Sequence, residues 1–140
     1  NFNDAIPGRF PLLLVNHDKS TFAQSVEVAY PPGEDDSTGP TTIWMRSQRL
    51  LEIEKPSPFQ SLCPLADCGN AISRNTSLSE ASFVNPDLTI AIHRVPESEW
   101  LASQAISVWQ SNGLGMSQAT LFDTEGAIGV ATQTLLVSAR

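Results

Sequence analysis

"PSPFQSLCPLADCGNAIS", residues 56–73, is the stretch on which the fold turns. Ser57 at a helix N-cap, Pro58 at the first helical position and Gln60 at the third form a capping box. From there Phe59, Leu62, Leu65 or Ala66, Gly69 and Ile72 recur every three to four residues. That spacing draws one apolar stripe along a helix. Pro64 interrupts it, and an interior proline removes a backbone hydrogen bond, so a kink or a ragged first turn is expected there. Ala66 and Gly69 are small, which lets another group approach the helix backbone closely. Asp67 is the anomaly, a carboxylate set among apolar and small residues in what reads as the buried stripe.

Outward from the helix the pattern changes to strands. "TFAQSVEVAY" (21–30) alternates and predicts a half-buried strand. "TTIWMRSQRLLEI" (41–53) predicts a second, antiparallel to the first across the polar loop 31–40. After the helix, "RNTSLSEASFVNPDL" reads as a loop. Four strands then follow at 87–94, 99–109, 115–123 and 127–139, with short connections that imply antiparallel neighbours in a meander. One helix and an antiparallel sheet of about six strands must bury their apolar faces together. The expected fold is therefore α+β, a hotdog: a curved sheet wrapped around one central helix. Residues 1–20 read as a linker or arriving segment, and 21–140 as the hotdog domain. A free sheet edge invites pairing, so a second hotdog unit is the expected partner, as an N-terminal half or in a homodimer.

The 140 residues carry a net charge of −7, and the eight Lys and Arg are scattered, which argues against a nucleic-acid binder. No apolar run is long enough for a membrane span. Cys63 and Cys68 would point about 140° apart on a helix, so they are read as reduced thiols, and the compartment as cytoplasmic. The chain starts at Asn, which suggests a piece of something longer. His93 has no metal-ligand companion, and no metal or other cofactor is expected. Neither His of the chain neighbours a plausible nucleophile, which disfavours a Ser-His-Asp set.

The runs "LADCGNAIS", "FVNPDLTIAIHR", "EWLASQ", "LFDTEGAIG" and "ATQTLLV" resemble the acyl-CoA thioesterase-like family related to acyl-CoA thioesterase II. The likeness runs from about Thr21 to Val137 and is to the C-terminal unit of a tandem double hotdog. It implies an acyl-CoA substrate, hydrolysed to free acid and coenzyme A. It also implies a helix Asp, a Thr before the following strand and a Gln in the last strand. These fall on Asp67, Asn85 and Gln133, with Asn standing where the family pattern has Thr. Asp67 would activate water, and the amides of Asn85 and Gln133 would position it. Ala66 and Gly69 would leave room for the thioester, and Arg74 and Arg94 would face the coenzyme A phosphates. Asp87 and His93 stand too far apart for the Asp–His pair of hotdog hydratases. Each assignment has a plainer reading: Asp67 as a solvent-facing helix residue, Gln133 as a satisfied core amide, Asn85 as a turn cap, the arginines as solvated. The rival function is a non-catalytic hotdog half, a scaffold or acyl-binding wall for a partner.

Overall fold

The computed structural model describes residues 1–11, 21–47 and 53–140. A 3-10 turn (Phe2–Asp4) leads to β1 (Ile6–Pro7), α1 (Phe22–Ser25), β2 (Val26–Tyr30) and β3 (Thr41–Ser47). Then come α2 (Pro58–Asp67), α3 (Gly69–Ile72), β4 (Ala81–Val84), β5 (Thr89–Ile92), β6 (Leu101–Trp109), β7 (Leu114–Asp123) and β8 (Gly126–Ala139). The strands make one open antiparallel sheet in the order β1-β2-β3-β6-β7-β8-β4, with β5 also on β8. The helices lie on its inner face, over a core that includes Ile43, Met45, Leu62, Leu65, Leu121 and Ile128. This is a hotdog-like arrangement, but the described sheet has eight strands, not about six.

The two extra strands are too short to show alternation. β1 pairs with β2 through Ile6↔Tyr30 and Pro7↔Ala29, with its proline at a sheet edge where a missing N–H is tolerated. The segment read as arriving thus lies along the fold over residues 2–10. Phe2 packs on Trp44 and Trp100 at centroid distances of 5.1 and 5.0 Å, and Phe10 is buried. β4 lies within the stretch read as a loop and pairs with the last residues of β8, Ala81↔Ala139 to Val84↔Leu136. At the other end of the chain's first predicted strand, residues 22–25 are helical. Thr21 N–H donates to Gln24 Oε1 at 3.0 Å, a capping box that the alternation concealed. The β2–β3 pair is antiparallel as expected, while residues 48–52 of the second predicted strand lie outside the described residues.

The meander holds only for β6, β7 and β8. β5 pairs not with β6 but with the first half of β8, Thr89↔Thr132 to Ile92↔Gly129. The connection from β5 to β6 crosses the β7–β8 turn instead of folding back. It is pinned there by Asp123, whose side chain is fully buried. Asp123 accepts two bonds from Arg94, both 2.7 Å, and the Glu97 N–H at 3.0 Å.

The predicted central helix is two helices. The capping box is present, Gln60 N–H to Ser57 Oγ at 3.2 Å and Ser57 N–H to Gln60 Oε1 at 2.7 Å. The chain passes Pro64 and breaks four residues later, at Cys68. There Cys68 N–H donates to Leu65 O at 3.1 Å, and its thiol donates to Pro64 O at 3.0 Å. Leu62, Leu65, Ala66, Gly69 and Ile72 are buried, as the stripe predicted; Phe59 is exposed.

Candidate active site

The site begins with the length of β8. Its outer edge is shared by two strands: β5 takes residues 129–132 and β4 takes 136–139. The gap between them is filled by the crossing chain Asn85-Pro86-Asp87. Asp87 Oδ1 accepts the Thr134 N–H at 2.8 Å, replacing the ladder bond that the gap removes. This bond holds Asn85 over the end of α2. Gln133, next to Thr134, points to the opposite, inner face and is 2% exposed.

Asp67, Asn85 and Gln133 meet at this point. Asn85 Nδ2 donates to Asp67 Oδ1 at 2.9 Å. Gln133 Nε2 donates to the same oxygen at 3.1 Å and to the Asp67 main-chain carbonyl at 3.0 Å. Two acceptors around one amide end fix its orientation, because the flipped amide would set oxygen against oxygen. The same bond explains the helix break: the Asp67 carbonyl, which a continuous helix would use internally, is taken by Gln133. Asp67 Oδ1 thus has two donors, while Oδ2 accepts no side-chain hydrogen bond from the described residues. The Asp67 side chain is exposed rather than lying in the buried stripe, because the stripe passes through Ala66, one residue round the helix.

Gly69 sets how closely this break sits on the sheet. A Cβ there would lie 2.9 Å from Ser117 Oγ and 3.5 Å from Gln133 Oε1. Ser107, Ser117 and Gln133 are paired across β6, β7 and β8, a buried polar row beneath the break. Ser73 closes it from the helix side, with Ser73 Oγ donating to Gly69 O at 2.8 Å and lying 2.7 Å from Ser107 Oγ. Gly69→Ala is expected to push Asp67 off Gln133 and lower activity more than stability. Ser117→Ala in the same chain restores the space, so a double-mutant cycle in kcat/KM should show favourable coupling; simple additivity would contradict this packing.

The other expected substrate contacts do not join the trio. Ala66 is 1% exposed and belongs to the core, and the space at Gly69 is filled by Ser117. Both small residues seat the helices on the sheet. Arg74 donates to Asp36 O at 3.0 Å and to Ala71 O at 3.4 Å, tying the loop 31–40 to the end of α3. Arg94 is bound to Asp123, six residues along β7 from Ser117, or about 20 Å at the strand rise. Ser117, Ser107 and Asp87 were not singled out as site residues in the sequence. Asp87 carried a signal, standing two residues after Asn85 in "NPD", but serines in a strand do not reveal which face they line.

Both cysteines are free. Burial, and secondly the charge of Asp67, pushes the Cys68 thiol up to about 12, so it is protonated at neutral pH and is no nucleophile. Among the described residues no group of three His, Cys, Asp or Glu could hold a metal ion, and no helix is long and apolar enough to cross a membrane.

An open antiparallel sheet curved over a broken helix is a hotdog-like architecture. The family pattern for the acyl-CoA thioesterase C-terminal domain matches residues 6–137, and the chain belongs to that family. No curated protein matches. Among solved structures it is similar to a Novosphingobium aromaticivorans protein assigned as a thioesterase, with 19% identity and a TM-score of 0.63, covering 96% of this chain and 50% of that one. It is also similar to an acyl-CoA thioesterase II of Mycobacterium marinum, with 17% identity and a TM-score of 0.58, covering 98% and 57%. A thioesterase family protein of Silicibacter pomeroyi matches at 19% identity and a TM-score of 0.57, covering 83% and 86%. The chain therefore spans about half the length of the first two, and at these identities the likeness speaks to the fold alone.

Proposed function

We propose that this chain hydrolyses the thioester of an acyl-CoA, with Asp67 as general base and Asn85 and Gln133 as positioning amides. Membership of the acyl-CoA thioesterase C-terminal domain family supports thioester hydrolysis in general. The observation that carries the finer reading is the convergence of both amide N–H groups on one oxygen of Asp67. Those bonds hold the carboxylate in one rotamer and leave Oδ2 for a water molecule. Oδ2 takes a proton as the water oxygen bonds to the thioester carbonyl carbon. The carbonyl oxygen becomes an oxyanion, which N–H donors stabilise. Collapse breaks the C–S bond, and the proton returns from Asp67 to the leaving thiolate. Free acid and coenzyme A result.

The exposure of Asp67 bears on the partner. A charged site open to bulk water gains little from oriented dipoles, which act most strongly where water is excluded. A second hotdog unit set against this open side would complete the site. The same exposure favours the second reading, in which this half acts as scaffold or acyl-binding wall. Thiol release from a panel of acyl-CoAs tests the two, with the chain alone and within its double-hotdog assembly. The hydrolase reading expects turnover that requires Asp67 and is greatest in the assembly. No thiol release from either preparation would overturn it in favour of the scaffold.

A further inference from the structure

The acyl group must be held somewhere, and the rows of the sheet beside the trio supply one surface for it. Phe83 is two residues before Asn85, on the inner face of β4, opposite Val137. Leu135 is two residues after Gln133, on the inner face of β8, and is paired through Gly115 to Trp109. Along both strands, then, one step of about 7 Å leads from the trio to an apolar residue on the same face. The helix α3 ends before this step. Ser73, just past the end of α3, reaches Ser107, and Trp109 is the next inward residue on β6.

Trp109 fills that space in a particular way. Gly115 lets the indole lie across β7: a Cβ there would sit 3.2 Å from both indole Cδ1 and Leu135 Cβ. Phe83 closes against it at a centroid distance of 5.5 Å and an interplanar angle of 57°. Both residues are half-buried. The indole Nε1 is buried with no hydrogen-bond partner, so Trp109 offers no ring N–H to a ligand on this side. An apolar surface of this kind, beside a carboxylate and two amides, is suited to an alkyl chain and not to a phosphate.

We infer that Phe83 and Trp109 form the wall against which the acyl chain lies, and that the indole over Gly115 limits the chain length the site accepts. The inference rests on the thioesterase reading for its substrate class, and names the side of the site that the alkyl part occupies. Trp109 acts on selectivity, not on the bond-breaking step.

The test is the dependence of kcat/KM on acyl length, from acetyl-CoA to palmitoyl-CoA, for the wild type, Trp109→Phe and Trp109→Ala in the double-hotdog assembly. Removing the indole is expected to raise the ratio of long-chain to short-chain kcat/KM by roughly tenfold or more, the scale of selectivity that a hydrophobic pocket provides. Trp109→Phe, which retains a ring against Phe83, should shift it the same way by less. An unchanged profile, or an equal loss at every length, would overturn the inference. The same acyl-CoAs titrated calorimetrically into Asp67→Asn chains, with and without Trp109→Ala, require no turnover. Length-dependent binding that responds to position 109 supports the wall even where hydrolysis is absent. Binding indifferent to that position rejects it.

Discussion

Asp67→Asn is expected to lower kcat for acyl-CoA hydrolysis by about 10²–10⁴, the usual contribution of a general base, with KM little changed. The substituted side chain keeps an acceptor oxygen for Asn85 Nδ2. The main-chain carbonyl at position 67 still accepts Gln133 Nε2, as it does at 3.0 Å in the parent chain. The site geometry is therefore retained while the base is lost. Because Asp67 is exposed, the change in stability should stay within about 0.5 kcal/mol. Steady-state kinetics and a thermal melt on the same preparation check both halves. Turnover equal to that of the parent chain would remove Asp67 from the mechanism. A collapse in Tm would show its carboxylate to be structural.

The largest stability effect is expected far from the trio, at Asp123. Its buried carboxylate accepts Arg94 in a two-point bond and the N–H groups of Glu97, Glu125 and Gly126 at 3.0 to 3.1 Å. Asp123→Ala strands all of these donors at once. Breaking a buried ion pair from one side costs about 3 kcal/mol at the low end, which applies because Arg94 keeps some contact with water. In a domain of this size that lowers Tm by roughly 10 °C. The bonds from Arg94 and then the backbone N–H groups outweigh burial and hold the Asp123 carboxyl far below the usual carboxylate range. Its stabilisation is thus complete above the unfolded value of about 4 and is lost as pH falls from there through the depressed native value. Asp123→Asn removes this dependence, so the stability gap between parent and variant should narrow below about pH 4. Urea melts across that range measure it; a gap that widens on acidification would contradict the assignment.

What the sequence revealed and what it concealed follow from the range of the forces involved. The capping box at Ser57 and Gln60 is local, and it forms as read. The long strands β6, β7 and β8 alternate over nine or more residues each, enough to fix face and neighbour. β1 and β4, of two and four residues, carry no usable period and depend on neighbours distant in the chain. The partner of β5 was misread because a short connection suggested a hairpin, whereas Asp123, some 30 residues downstream, directs that connection across another turn. At the site, the family resemblance supplied Asp67, Asn85 and Gln133, and the fold brings these three side chains together. Arg74 and Arg94 had only their charge to recommend them, and charge alone does not reveal a nearer partner such as Asp123 or the Asp36 carbonyl. Ala66 lies in the core, and the group that approaches Gly69 is the side chain of Ser117 on the sheet.

The central claim, attack by water held on Asp67, is tested most directly by a single turnover in ¹⁸O-labelled water with enzyme in excess over acyl-CoA. The account predicts one heavy oxygen in the released acid and none in the peptide that contains Asp67. Unlabelled acid with the label carried on Asp67 would mean that the carboxylate attacks the thioester itself, and would contradict the account.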